Sequence, residues 1–272
     1  MKRFIVMGLA TALVLLTACE GDNPGGEGGT LPVVTGLTVD WAQSDGVDIN
    51  LDWDAVSDVD GYNVYFRATS SGTWTEVGDV TTTTYTHTAS SAGYYAVEAY
   101  KGSDTSEALS SEVSTMPNII TTEYEIYDNY APADWHSGFI FGLTAGETGL
   151  AGSSAFVQDI YAYDPWTDPG RAALYSGDYG PFGDGNETWM IGLGDPGCDN
   201  AGAAPDVSAG WWDNGEVWEG DVIFCELYDG YFAKMYINDL EGPVGGSSNG
   251  TGIAFTYEIQ PQAGIRLFTT NQ

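Results

Sequence analysis

Residues 47–53, Val-Asp-Ile-Asn-Leu-Asp-Trp, alternate apolar and polar side chains without a break. A period of two puts Val47, Ile49, Leu51 and Trp53 on one face of an extended strand and Asp48, Asn50 and Asp52 on the other. Short extended runs of this kind recur along the chain, each bounded by Gly, Pro, Asn or Asp. No stretch of useful length carries the 3.6-residue period of an amphipathic helix. The expected fold class is therefore all-β, built from short strands and tight turns. Composition agrees: Gly, Thr, Tyr and Trp are abundant, and 43% apolar with 13% aromatic residues is enough to build a core rather than a disordered chain.

The first group of strands is expected at Val33–Trp41, Val47–Trp53, Gly61–Arg67, Thr73–Val77, Thr83–Thr86, Tyr94–Tyr100 and Leu109–Ser114. Seven strands in about 85 residues, with turns between them, is the pattern of an immunoglobulin-like sandwich. The runs Ile49-x-Leu51-x-Trp53, Gly61-Tyr62-x-Val64-Tyr65 and Tyr95-x-Val97-x-Ala99, in that order, resemble a fibronectin type III domain of the bacterial extracellular kind. The resemblance covers residues 32–116. It implies that Trp53 packs between two sheets and that Tyr95, Val97 and Ala99 line one face of a strand. The chain departs from the family at Gly93, where a tyrosine-corner residue is expected, with Tyr94 or Tyr95 as substitutes. There is no Arg-Gly-Asp triplet, so nothing suggests integrin binding. Modules of this family act as spacers or protein-binding units.

Met116-Pro117 closes this unit, since Pro interrupts sheet pairing, and residues 117–272 form a second domain. Its expected strands are Thr122–Tyr127, Gly138–Leu143, Ala155–Tyr163, Thr188–Leu193, Val217–Tyr228, Tyr231–Ile237, Thr251–Ile259 and Ile265–Phe268. Asp229-Gly230 between two apolar runs predicts a hairpin with a two-residue type I′ turn. The expected architecture is a second β-sandwich or a partly closed β-barrel. The segments Gly230–Met235 and Phe255–Pro261 resemble the C-terminal strands of some surface lipoproteins, haem-capturing ones among them. Those roughly forty residues hold no diagnostic ligand.

The N-terminus is expected to be a targeting segment. Met1-Lys2-Arg3 precedes an uncharged apolar run from Phe4 to Ala18, the length of a signal h-region and short for a stable membrane span. Leu16-Thr17-Ala18-Cys19 resembles the lipobox of bacterial lipoproteins, which implies cleavage after residue 18 and a lipid-carrying Cys19. Several acyl chains on one cysteine hold a protein to a membrane without crossing it. Glu20 follows in place of the Asp of an inner-membrane retention signal, so the expected location is the outer membrane, lipid-anchored and facing the cell surface. Residues 19–31 are Gly-rich and acidic, a flexible tether.

Removing the leader takes Lys2 and Arg3 with it. That leaves five Lys and Arg against 39 Asp and Glu, a net charge of −34. A surface this acidic repels nucleic acid and anionic lipid and favours cations. Apart from Cys19 the cysteines are Cys198 and Cys225. An oxidising compartment favours a disulfide between them, with two buried thiols as the alternative. No Cys-x-x-Cys spacing supports a metal site.

Chemistry is harder to place. The histidines are His87 and His136 alone, and no Gly-x-Ser-x-Gly nucleophile elbow occurs, so no hydrolase triad is assembled in the sequence. With 39 acids, pairs such as Glu216 and Glu219 around Trp218 arise without catalytic meaning. No cofactor is required by this reading; calcium is the candidate, since hard oxygen ligands crowd the Gly-rich loops. The candidates are Asp164, Asp168 and Asp184, with Asp58-x-Asp60 more simply a turn. Six of the nine Trp fall in the second domain. Adjacent Trp211 and Trp212 cannot share one strand face, so one of them is exposed or lies under a loop. Trp211, Trp212 and Trp218 are the ligand-binding candidates, against the alternative of an aromatic core under long loops. The expected function is non-catalytic: a lipoprotein presenting a binding or adhesion domain to an extracellular protein. The alternative is capture of a carbohydrate or small ligand, with calcium.

Overall fold

The computed structural model describes residues 30–128, 131, 135–163, 172–192, 198, 201–206, 210–241 and 251–270. The expected leader, Cys19 and the expected tether up to residue 29 lie outside these, as do Asp164 and Asp168. Among the described residues the protein is all-β, with eighteen strands and a 3₁₀ turn at Gly180–Phe182.

The first unit packs two antiparallel sheets. Strands β1 (Thr38–Val39), β2 (Asp48–Asp52) and β5 (Thr84–Thr88) form one, in the order β1-β2-β5. The other contains β3 (Gly61–Arg67), β4 (Thr75–Val80), β6 (Tyr94–Lys101) and β7 (Asp104–Thr105) in the order β4-β3-β6-β7, with β8 (Val113–Ser114) also on β6. The period-two reading of residues 47–53 holds. Ile49, Leu51 and Trp53 are buried, Asp48 and Asp52 exposed, and Trp53 meets Tyr62 edge-on at 5.5 Å. Tyr95, Val97 and Ala99 face the same core. Asp58 adopts the left-handed conformation (φ 61°) and accepts from Lys101 Nζ (2.6 Å), while Asp60 accepts from Gly102 N (2.7 Å). Both carboxylates are committed to the turn before β3.

The second unit begins one residue after Pro117. Strands β9 (Asn118–Tyr127), β14 (Thr188–Ile191), β16 (Val222–Leu227), β17 (Phe232–Glu241) and β18 (Gly252–Ile259) form a sheet ordered β14-β16-β17-β18-β9. Facing it are β10 (Gly138–Ile140), β11 (Glu147–Gly149), β12 (Ile160–Ala162), β13 (Ala172–Ser176) and β15 (Asn214–Val217), ordered β11-β10-β12-β13-β15. Neither sheet closes, so this is a sandwich rather than a barrel. Its core gathers Ile126, Phe139, Leu174, Met190, Met235, Phe255 and their neighbours between the sheets.

Two local expectations change. The Asp229-Gly230 hairpin exists, but among the described residues Asp58 is the one non-glycine with positive φ, so Asp229 is not in a type I′ turn. Instead Gly230 N donates to Leu227 O (2.8 Å), Leu227 N donates to Tyr231 O (2.9 Å), and Gly230 sits at φ 81°. That is a type I turn closed by a glycine bulge, a three-residue loop that needs left-handed backbone at one position only. The run 217–228 is also two strands, broken at Gly220 (φ 88°).

The expected bridge between Cys198 and Cys225 is not formed. Along β16, Ile223, Cys225 and Leu227 point into the inter-sheet core. Phe224 points the other way, into a cluster on the outer face with Cys198, Trp211, Phe232 and Phe268. The sheet itself separates the two thiols, and a disulfide needs facing Cβ atoms. Burial pushes the Cys225 thiol far up, with the charge of Asp159 adding to it.

The outer face of β16–β17–β18 is covered by Cys198, residues 201–206 and the C-terminal ribbon. Lys234 is buried there and donates from Nζ to the carbonyls of Ala201 (3.0 Å) and Thr269 (3.0 Å). Desolvation lowers its ammonium pKa, partly offset by Glu258. Glu258, opposite Lys234 in register, accepts from Tyr236 Oη (2.8 Å), Thr269 N (3.1 Å) and Thr269 Oγ1.

Residues 264–268 tie the two units together. Gly46 N donates to Gly264 O (2.9 Å) and Arg266 N to Gly46 O (2.9 Å) on one side. On the other, Ala204 N donates to Arg266 O (2.8 Å) and Phe268 N to Gly202 O (2.7 Å). Ile265 and Leu267 enter the core of the first unit, while Phe268 joins the outer-face cluster of the second. The strand expected at 265–268 is real in its alternation but forms isolated bridges rather than a ladder.

Candidate binding surface

The two units meet at a cleft of about 310 Å³ lined by Asp45, Gly46, Asp206, Glu226, Gly230, Phe232, Gly264 and Arg266. Its floor is the end of the β16–β17 hairpin, where Glu226 and Phe232 stand opposite each other in register. Its walls are the 45–46 turn and the C-terminal ribbon. Gly46 (φ 57°) and Gly264 (φ 81°) make the tight approach possible.

The cleft is an acidic site with one cation. Arg266 donates from Nη1 to Ala204 O (3.0 Å) and lies 3.6 Å from Asp206 Oδ2. The Glu226 carboxyl is raised from its ordinary value, first by desolvation. Glu187 and Asp206 push in the same direction, and Arg266 opposes them. Three carboxylates against one guanidinium leave a local excess of negative charge on a protein already strongly acidic.

Aromatic side chains edge this region. Trp189 on β14 is directly opposite Glu226 and 39% exposed. Trp212 pairs with Met190 through two backbone bonds (2.7 and 2.8 Å) and is 64% exposed, but its register opposite core-facing Met190 turns its side chain to the face of the sheet away from Trp189 and Glu226. Tyr228, at the hairpin turn, is also exposed. The Trp211/Trp212 pair divides as adjacent residues must: Trp211 is 8% exposed, donates from Nε1 to Asp206 O (3.1 Å) and packs on Phe232. Trp218 is exposed at the β15–β16 turn, anchored by its N–H to Asp221 Oδ2 (2.9 Å), at the far end of β15 from Trp212. Of the three tryptophans singled out in the sequence, Trp211 is core, and Trp212 and Trp218 are exposed away from the cleft.

The remaining candidates do not converge. Asp184 is exposed after the 3₁₀ turn, and no group of three or more metal-ligating side chains occurs among the described residues. His87 Nδ1 and Tyr95 Oη share a 2.9 Å hydrogen bond, and burial lowers the imidazole pKa. His136 pairs with Thr148 Oγ1 (2.8 Å) at the opposite end of the second sandwich.

Sequence reasoning missed Trp189, Glu226 and Arg266. Trp189 carried a signal, since it alternates with apolar Met190 in a short strand and so faces away from the core. Arg266 carried another, as one of few cations in so acidic a chain. Glu226 carried none, because its place depends on the ribbon folding back. No protein-family model matches this chain, and no curated protein matches it in sequence.

Proposed function

We propose that this protein is a non-catalytic cell-envelope lipoprotein, held by an acylated Cys19, that presents a binding or adhesion surface on a fibronectin type III module. The strand order β1-β2-β5 against β4-β3-β6-β7, with a tryptophan packed between the sheets, supports the module assignment for residues 32–116. The lipobox and the apolar leader support the anchor. The observation that carries the functional reading is exposed Trp189 directly opposite Glu226 at the acidic cleft. Exposed Trp next to desolvated charge is the make-up of an interaction hot spot. The charge selects a partner surface rich in Lys or Arg.

Two experiments test this. Cys19→Ser is expected to move the protein from the detergent phase to the aqueous phase in detergent partitioning of cell extracts. Continued membrane retention would sink the lipid-anchor reading. Surface-protein ligands captured by the full chain should bind Trp189→Ala at least about tenfold more weakly, the loss of one hot-spot side chain. They should also weaken steeply with salt. Salt-independent binding that tolerates the Trp189 substitution would place the contact elsewhere. Repeating the assay with EDTA measures any calcium requirement.

A further inference from the structure

At the end of the second sandwich where the edge strands β9 and β11 approach each other lies a separate cavity of about 360 Å³, lined by Glu125, Tyr127, Trp135, His136 and Thr148. We propose that it binds the terminal pyranose ring of a neutral saccharide. The proposal rests on reading the chain as a binding protein, but on a site distinct from the junction cleft.

Glu125 and Tyr127 alternate with core residues Tyr124 and Ile126 on β9, so they face away from the core. Tyr127 N donates to His136 O (2.9 Å), which brings the 135–136 segment back over the strand. Trp135 then meets Tyr127 edge-to-face, with ring centroids 4.3 Å apart and planes at 64°. The two rings form a corner, one apolar face beside another. Gly252, opposite Tyr127 in register, leaves room behind them. A Cβ there would come within 2.8 Å of Glu125 Oε1 and 3.1 Å of the Tyr127 ring.

The polar groups complement the rings. Glu125 Oε1 is buried and has no hydrogen-bond partner among the described residues. A carboxylate oxygen only accepts, and leaving it unpaired away from water is costly, so the site lacks a donor. The His136–Thr148 bond (2.8 Å) uses Nδ1 and leaves Nε2 as a second oriented polar atom. An acceptor, an imidazole nitrogen and a hydroxyl around an aromatic corner match a sugar, which offers C–H groups on one face and hydroxyls on its rim. The volume is near the small end of ligand pockets, about 300–1,000 Å³, which limits the occupant to one or two rings. Glu125 and the strongly negative net charge exclude acidic sugars.

The test titrates the full chain with methyl glucoside, methyl galactoside, methyl mannoside and N-acetylglucosamine, followed by saturation-transfer NMR and calorimetry. Methyl glucuronide and tetramethylammonium serve as controls. At least one neutral glycoside is expected to bind with a dissociation constant on the order of 1 mM. Trp135→Ala should weaken it about tenfold or more through lost ring contact. Glu125→Gln and His136→Ala should weaken it by smaller factors and decide the matter if Trp135→Ala fails to fold. Trp189→Ala should bind the glycoside as the wild type does, which separates this site from the proposed adhesive surface. The inference is overturned if no neutral glycoside binds the folded chain at about 20 mM, if only tetramethylammonium binds, or if the Trp135 and Glu125 variants bind unchanged.

Discussion

Leu267→Ala is expected to destabilise both sandwiches together, by about 2–5 kcal/mol, the range for emptying a buried leucine site. Leu267 is fully buried, and it belongs to the chain's last segment while packing in the core of its first unit, with Val34, Ile49, Val64 and Val97 around it. Its carbonyl accepts from Gln260 Nε2, and the same amide donates to Thr115 O (3.1 Å), at the link between the units. A cavity at residue 267 therefore weakens the first core and loosens the ribbon whose next residue, Phe268, closes the outer-face cluster of the second. Lys234 and Glu258 lean on that ribbon as well, through Thr269. Urea unfolding monitored by tryptophan fluorescence and by near-UV circular dichroism should show one transition, moved to lower denaturant, in the variant as in the wild type. Two separated transitions, with the second unit unmoved, would mean that the ribbon merely rests on the first unit.

This coupling was the least legible part of the sequence. The first unit could be read because its sheets follow simple rules: one face in, one face out, as at Ile49, Leu51 and Trp53. The run Gly61–Arg67 appears as a strand with the bounds that pattern predicts. The second unit obeys the same rules only in part. β16 and β18 are apolar almost throughout because loops and the ribbon bury their second face. Periodicity cannot reveal what covers such a face, and spacing alone cannot place Cys198 and Cys225 on opposite sides of it. The Asp-Gly dipeptide located a hairpin but not its turn type, since Gly alone supplies the positive φ that a bulged three-residue loop requires. Strands as short as Glu147–Gly149 carry too few residues for alternation to register. The sites fared similarly. Adjacency alone divided Trp211 from Trp212, whereas the junction cleft joins residues 45, 206, 226 and 266, and the second cavity joins residues 125, 136 and 148. Only the three-dimensional path of the chain brings these together.

The largest single-residue effect in the second unit is expected at Phe139. Phe139→Ala should cost about 3–5 kcal/mol and lower the thermal midpoint by roughly 6–20 °C. The side chain lies on β10 with no exposed surface, and four rings converge on it: Tyr124 at 5.0 Å, Phe141 at 5.1 Å, Phe255 at 4.8 Å and Tyr257 at 5.7 Å. These rings come from both sheets, so truncation removes the contact that holds the sheets at their spacing. The neighbours are constrained against collapse. Tyr257 Oη donates to Gly142 O (2.8 Å) and Tyr124 Oη accepts from Gly146 N (2.9 Å), so neither ring can swing into the void without losing a hydrogen bond. The effect reaches the proposed saccharide site by one step along β9. Tyr124 packs on Phe139, and the next residue, Glu125, points into the cavity. Glycoside affinity should therefore fall in Phe139→Ala even at temperatures where the variant remains folded. Phe139→Leu, which fills most of the space, should restore most of both the stability and the affinity. If alanine at 139 costs less than about 1 kcal/mol, well below the range for a buried aromatic, the five rings do not form the centre of this core, and the alignment of Glu125 must be set from the β18 side of the strand.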